Sequence, residues 1–512
     1  MTRARAARSG LGLATLLATA GVLLAAPVRA IEEVVIQLPL LQTSFSLRVS
    51  ELRDQDGLLR GNSDLAELDR ASGGSLGRQL RRQLLQPLPL SLSRATEQAV
   101  GTPMLEQAML MLSSFGRIEG QTRDLTGEEL NQVLQRAAAN GQPTLLSLLQ
   151  AIPGQRVTLD LGQVARLLQR LAAQRREADQ LVIELPPAAA TQAAAATGPA
   201  APGEVQRRSQ TLAVAHRPEP LELTVLQPSR GANGRLVLIS HGLWDGPSSF
   251  EGWGRLLASQ GYTVVLPRHP GSDVEQQQAM LTGRAAPPSH QELELRPRDL
   301  SAVLDAVADG RLNLGAGVGA QQAVVLGHSW GATTALLLAG VRPNGTEAPR
   351  CNNPDDPGRN LSWVLQCSWL QGIGGSPLGD PRVIAVGAVS PPVSLLFPRG
   401  AAGQLAARVL LVSGSHDWVV PPDPEAIQPM RANVRNGNRL VLAKGGDHFN
   451  LRPGNDPQGG VLGPLLLSWT EASFQAGAAV RPGPEAPNLL PAQDWGHTAL
   501  TLVDVSNRIA QP

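Results

Sequence analysis

A short apolar run, Ala323 to Leu326, enters Gly327-His328-Ser329-Trp330-Gly331 and leaves at once into a helix-forming stretch, Thr333 to Ala339. A strand that becomes a helix through G-x-S-x-G holds its serine on a sharp, strained bend, so the residues two places to either side must be small. Gly327 and Gly331 meet that demand. The helix beginning behind Ser329 also aims its positive end at charge developing near the serine. A bare G-x-S-x-G is common by chance; the strand–turn–helix context makes it specific. The segment therefore restricts the chain to a fold in which strands feed helices.

The surrounding sequence has that character. Apolar, β-rich runs recur at Leu236–Ile239, Thr263–Leu266, Ala323–Leu326, Val383–Val386, Val409–Val412 and Leu440–Leu442. Helical patterns separate them, as where Leu300, Val303, Leu304 and Val307 form one stripe closed by Gly310. Such alternation predicts a mostly parallel sheet covered on both faces, an α/β domain.

A serine is a weak nucleophile and needs a base oriented by an acid. Where the serine sits on such an elbow, the partners follow in the order Ser, Asp or Glu, His. Asp417 falls just past the run Arg408–Ser413, and His448 just past Arg439–Ala443. Groups at the carboxyl ends of parallel strands share one crevice, so Ser329, Asp417 and His448 are the candidate triad. The plain alternatives are that Asp417 caps a turn and His448 is an ordinary loop histidine. His416 and Asp447 adjoin the favoured pair but point differently along the chain. Asp494 and His497 lie beyond the last expected strand, and His328 is expected to pack or bond locally. Backbone N–H groups should face the tetrahedral oxygen. Trp330, following the nucleophile, supplies one; Leu243, in the loop Ser240-His241-Gly242-Leu243-Trp244, supplies the other, with Gly242 leaving room.

At 512 residues the chain exceeds one ordinary domain. Residues 1–30 carry Arg3, Arg5 and Arg8, then an apolar run from Leu11 to Ala26, then Val28-Arg29-Ala30; this reads as a cleaved secretory signal, with an uncleaved anchor as the alternative. Residues 31–182 read as a mainly helical accessory domain with an extended start, Val34 to Val49, that suits a hairpin. Within it, Thr126 and Glu129 form a capping box, and Val164, Leu167, Leu168 and Leu171 form an amphipathic stripe expected to pack inward. An Ala/Pro-rich linker, 183–207, precedes the α/β domain at 208–480 and a C-terminal tail at 481–512. With a 17% charged fraction and a net charge of +1, the chain has no attraction for nucleic acid. The only cysteines, Cys351 and Cys367, can close a disulfide in an oxidising compartment or remain two thiols. They lie in an insert, about 341–381, that reads equally as a mobile lid or as a plain surface excursion stapled by a disulfide.

Gly315-Ala-Gly-Val-Gly319 precedes a strand instead of following one, which argues against a dinucleotide site. No cofactor and no metal is expected. The stretches SHGLWDG (240–246), LPRHPGSD (266–273), RPRDLSAVLD (296–305), GHSWGA (327–332) and GGDHFNL (445–451) make the rear domain resemble α/β hydrolases of the predicted dienelactone hydrolase group, near platelet-activating-factor acetylhydrolases. True dienelactone hydrolases use a cysteine where Ser329 stands, so that substrate does not carry over. The resemblance implies the α/β-hydrolase fold, with Leu243 and Trp330 as oxyanion donors. The front domain is similar to a helical domain of unknown function that precedes such hydrolases in cyanobacteria, through Val34–Val49, SELRD at 50–54 and a strand plus helix at 155–171. The expected activity is hydrolysis of carboxylic esters, acyl or lipid-like, through Ser329, Asp417 and His448. The expected setting is the periplasm, thylakoid lumen or extracellular space, with peripheral membrane or envelope contact compatible. The alternative is a catalytically silent hydrolase scaffold that binds an envelope partner.

Overall fold

The computed structural model describes residues 30–189 and 204–510, apart from 39–41, 55, 90, 120, 122–124, 140, 316, 375–376, 398–403, 432 and 478–480. The signal-like segment and most of the Ala/Pro-rich linker therefore lie outside the described residues. No helix among the described residues is long and apolar enough to cross a membrane.

The front region is built on a four-stranded sheet, β1 (Glu33–Leu38), β2 (Thr43–Arg48), β3 (Gly116–Glu119) and β4 (Arg156–Asp160), in the order β2-β1-β4-β3. The hairpin β1–β2 occupies the extended start, and β4 adds to it in parallel. The expected mainly helical domain is thus a helical and sheet region. The hairpin and the strand before the helix at 161 were expected, but their joining into one sheet was not, because the central pairing links segments over a hundred residues apart. The capping box at Thr126 and Glu129 opens the helix Gly127–Ala138, satisfying its first free N–H groups. On the helix Leu161–Ala173 the apolar stripe does not pack fully inward: Val164 and Leu168 face solvent. That helix turns Arg170 to the Pro354 carbonyl, and Gln174, just past its end, bonds the Pro357 and Arg359 carbonyls.

The rear region holds nine strands, β5 (Val205–Leu212), β6 (Leu221–Pro228), β7 (Leu236–Ser240), β8 (Thr263–Pro267), β9 (Ala323–His328), β10 (Val383–Val389), β11 (Arg408–Gly414), β12 (Arg439–Ala443) and β13 (Leu502–Asp504). Their order is β13-β12-β11-β10-β9-β7-β8-β6-β5. The six apolar runs are the six contiguous strands from β8 to β12, all parallel. Each is buried on both faces, which is why they read as unbroken hydrophobic runs. Helices pack on both sides over two core clusters, one including Leu300, Val303 and Leu304, the other Trp253, Leu465 and Trp469.

Three boundaries shift. The helix Arg176–Glu184 buries Ala178, Leu181 and Val182 in the rear core, so the front domain ends before it. The sheet begins at Val205, inside the expected linker. Of the expected tail, 481–512, the described part is docked, because β13 pairs with β12 and Val503, Val505 and Ile509 are buried. A three-residue strand is too short to show a period of two, so nothing in the sequence marked it.

Candidate active site

Ser329 follows β9 and precedes the helix Trp330–Leu338, with φ 54° and ψ −122°. A non-glycine residue holds this conformation only when its surroundings enforce it. Here the Ser329 N–H donates to the Val389 carbonyl at 2.8 Å, and its own carbonyl accepts from Ala332 and Thr333. The flanking glycines are required: a Cβ at Gly327 would collide with the Gly331 carbonyl, and one at Gly331 with the Ser240 carbonyl. The elbow is therefore wedged against the end of β7.

Asp417 lies just past β11 and is fully buried. One carboxylate oxygen accepts the N–H groups of Val419 and Val420 at 3.0 and 2.8 Å, and the other accepts from His448 Nδ1 at 2.9 Å. With Nδ1 carrying the proton, Nε2 of His448 is left as the basic nitrogen. No hydrogen bond joins Ser329 Oγ to His448 in this structure; such bonds commonly tighten only when substrate is present. The elbow reaches His448 by another route. His328 Nε2 donates to the His448 carbonyl at 2.9 Å, and the two rings stand 4.8 Å apart. His328 does more than pack locally, as its place in the elbow had suggested, for it ties the serine's turn to the loop of the histidine.

The rivals are occupied elsewhere. His416 is half exposed and lies 3.6 Å from Asp179. Asp447 accepts the N–H groups of Phe449 and Asn450, closing its own turn. His497 Nδ1 accepts from the Ala499 N–H.

Trp330 directly follows Ser329, Leu243 follows Gly242 in the loop beside it, and neither N–H donates to another group among the described residues. A Cβ built on Gly242 would sit 3.4 Å from the Ser329 Cβ, which shows how closely this loop approaches Ser329. Trp244, the next residue but one, has φ 55°, its N–H bonded to the Ser272 carbonyl at 2.8 Å. Sequence reading missed that strain, since no glycine marks the bend.

A second Ser–His–Asp series lies beneath this loop. Ser240 Oγ is 3.0 Å from His269 Nε2, and His269 Nδ1 is 2.7 Å from Asp299. All three are inaccessible to solvent. Asp299 also receives His216 Nε2 at 2.8 Å and two nitrogens of Arg217, which in turn grips both oxygens of Glu292. Burial opposes charge on Asp299, but these donors outweigh it and hold the carboxyl well below its usual range.

The insert over the site is anchored. Cys351 and Cys367 form a disulfide. The buried carboxylate of Glu425 accepts from Asn360, Ser362, Gln366 and the backbone of Val393 and Ser394. Trp369 of the insert helix Trp363–Leu370 stacks on Trp330 at 4.8 Å, and Met104 of the front region packs into the same cluster. An insert stapled and anchored at these points fits the disulfide-stapled excursion better than a mobile lid.

The chain returns no match among curated proteins. A family model described as the alpha/beta hydrolase fold matches residues 235–346, the stretch from β7 through the elbow and its helix. Together with the parallel strands and flanking helices, that match gives the rear domain the α/β-hydrolase fold.

Proposed function

We propose that this protein is a serine hydrolase that cleaves carboxylic esters of acyl or lipid-like character through an acyl-enzyme. The observation that carries the reading is the 2.9 Å bond from His448 Nδ1 to buried Asp417, beside a serine held at positive φ. In this mechanism Ser329 Oγ attacks the ester carbonyl while its proton passes to His448 Nε2. The carbonyl oxygen takes the negative charge and is met by the Leu243 and Trp330 N–H groups. As the C–O bond breaks, His448 returns the proton to the departing alcohol. Water then attacks the acyl-serine, giving its proton to His448; as the acyl–Oγ bond breaks, His448 returns that proton to Ser329 Oγ and the carboxylic acid leaves.

Apolar substrates are favoured by the rim. Trp418 and Phe449, each directly after a triad residue, are the two aromatic side chains among the described residues with about half their surface in solvent, 49% each. Their rings lie 6.4 Å apart. The disulfide supports export to an oxidising compartment. Within the fold, the serine nucleophile and the SHGLWDG and GHSWGA stretches favour the group near platelet-activating-factor acetylhydrolases over true dienelactone hydrolases.

Labelling by a fluorophosphonate probe tests the reading, with Ser329→Ala alongside and a series of p-nitrophenyl esters to rank chain length. Wild type should label and the variant should not. An unlabelled, folded wild type would move the binding-scaffold reading ahead.

A further inference from the structure

The stretches 266–273 and 296–305, which the mechanism above leaves unused, converge under the oxyanion loop. His241 is buried, and its Nε2 accepts the His269 N–H at 3.0 Å. The proton therefore sits on Nδ1, which donates to the Gly242 carbonyl at 2.8 Å. That carbonyl and the Leu243 N–H belong to one planar peptide group, pointing in opposite directions. Holding the oxygen aims the N–H.

Arg296 secures the same turn from the other side. Its guanidinium bonds the His241 carbonyl and lies over the Trp330 ring, 4.9 Å from the centroid. Trp330 carries the second N–H. One buried cation thus touches both halves of the oxyanion hole. Its Nε and Nη1 have no partner among the described residues, a cost that an apolar side chain against Trp330 would not incur. Gly242 explains why an anchor is needed, since a glycine between His241 and Leu243 leaves the donor peptide free to rotate.

We infer that His241 and Arg296 are positioning residues that set the direction of the Leu243 N–H and lock it to the Trp330 side of the oxyanion hole. The inference rests on the ester-hydrolase reading and extends it to residues that never meet the substrate. The imidazole must remain neutral for this, because a proton on Nε2 would displace the His269 N–H. Burial, and then the neighbouring Arg296 charge, press His241 well below its ordinary value.

The experiment compares His241→Phe, His241→Asn and Arg296→Met with wild type. Each is read by kcat and KM on p-nitrophenyl butyrate and by affinity for a boronic acid that forms a tetrahedral adduct on Ser329. Loss of one aligned oxyanion donor lowers kcat by about 100-fold. His241→Phe and Arg296→Met should show that loss, with KM changed less than about threefold and boronate affinity falling in parallel. His241→Asn, whose amide N–H replaces Nδ1–H, should recover about tenfold, which a packing role would not produce. Should Arg296→Met or His241→Phe not fold, Arg296→Lys and His241→Asn are read on the same kcat-against-KM split. Folded variants that keep kcat within about threefold, or lose only KM, would overturn the positioning role while leaving the hydrolase intact. A wild type that neither labels nor turns over would overturn both.

Discussion

Two Ser–His–Asp series stand in one domain, and they are built for opposite ends. Their spacings are alike: His269 and Asp299 are 30 residues apart, Asp417 and His448 31. Their hydrogen bonds are of similar length, 2.7 and 2.9 Å. They differ in what surrounds them. Ser240 is the last residue of a regular strand, both nitrogens of its histidine are engaged, and no solvent reaches any of the three. Ser329 sits on a strained elbow, partly open to solvent, and His448 is bonded to its carboxylate through Nδ1 alone. Residue types and distances alone do not tell the two series apart; backbone strain and access do.

The largest contrast should appear on removing the serines. Ser329→Ala should abolish fluorophosphonate labelling and lower kcat by about 10⁴-fold or more, whereas Ser240→Ala should still label and lose less than about tenfold. Reversal of that order would exchange the roles of the two series. The acids come next. Asp417→Asn should cost about 10⁴-fold in kcat by favouring the wrong imidazole tautomer, while urea melts show a change of about 1 kcal/mol. Asp299→Asn should behave the other way, destabilising by about 3–5 kcal/mol because it leaves buried Arg217 with Glu292 alone as counter-charge and turns an amide N–H towards donors that Asp299 accepts. A comparable loss of stability in both would blur the distinction.

A smaller difference concerns the rim, which only the Ser329 series has. Trp418→Ala with Phe449→Ala should raise KM about tenfold for a twelve-carbon acyl ester and leave a two-carbon ester within about twofold, if each ring covers part of an apolar chain. Equal effects on both esters would remove the rings from substrate selection.

The smallest effect is a slope. Burial, followed by the Arg296 charge, lowers His269 to about 4 from an ordinary 6.5, against the pull of Asp299. Between those values the unfolded chain takes a proton that the native histidine refuses, so stability declines as pH falls from about 6.5 towards 4. Urea melts of His269→Gln across that range should show a shallower decline. An unchanged slope would mean that His269 is already protonated in the native state.

How much of this was legible follows from range. The six parallel strands announce themselves because burial on both faces writes an apolar run into each, and the elbow because steric demand writes glycine at 327 and 331. Asp417 and His448 could be nominated because they end such runs. The buried series could not, since Ser240, His269 and Asp299 look no different from surface polar residues until the helix Glu292–Ala308 lays Asp299 against β7 and β8. The front sheet was hidden for a similar reason: β1 meets β4 only after a long excursion, and β3 is four residues long.

The three residues of β13 carry a consequence for the integrity of the sheet. β12 delivers His448 and would otherwise be an edge strand, rich in valine and leucine, with a row of unpaired N–H and carbonyl groups. Such edges recruit strands from other molecules. By pairing Leu502 to Ala443 and Asp504 to Val441, the end of the chain seals that border, and the Ala188 N–H caps the Leu502 carbonyl from outside. What looked like an appendage is a selvedge, and a chain stopped at 480 would be prone to self-association at the border beside its candidate catalytic histidine.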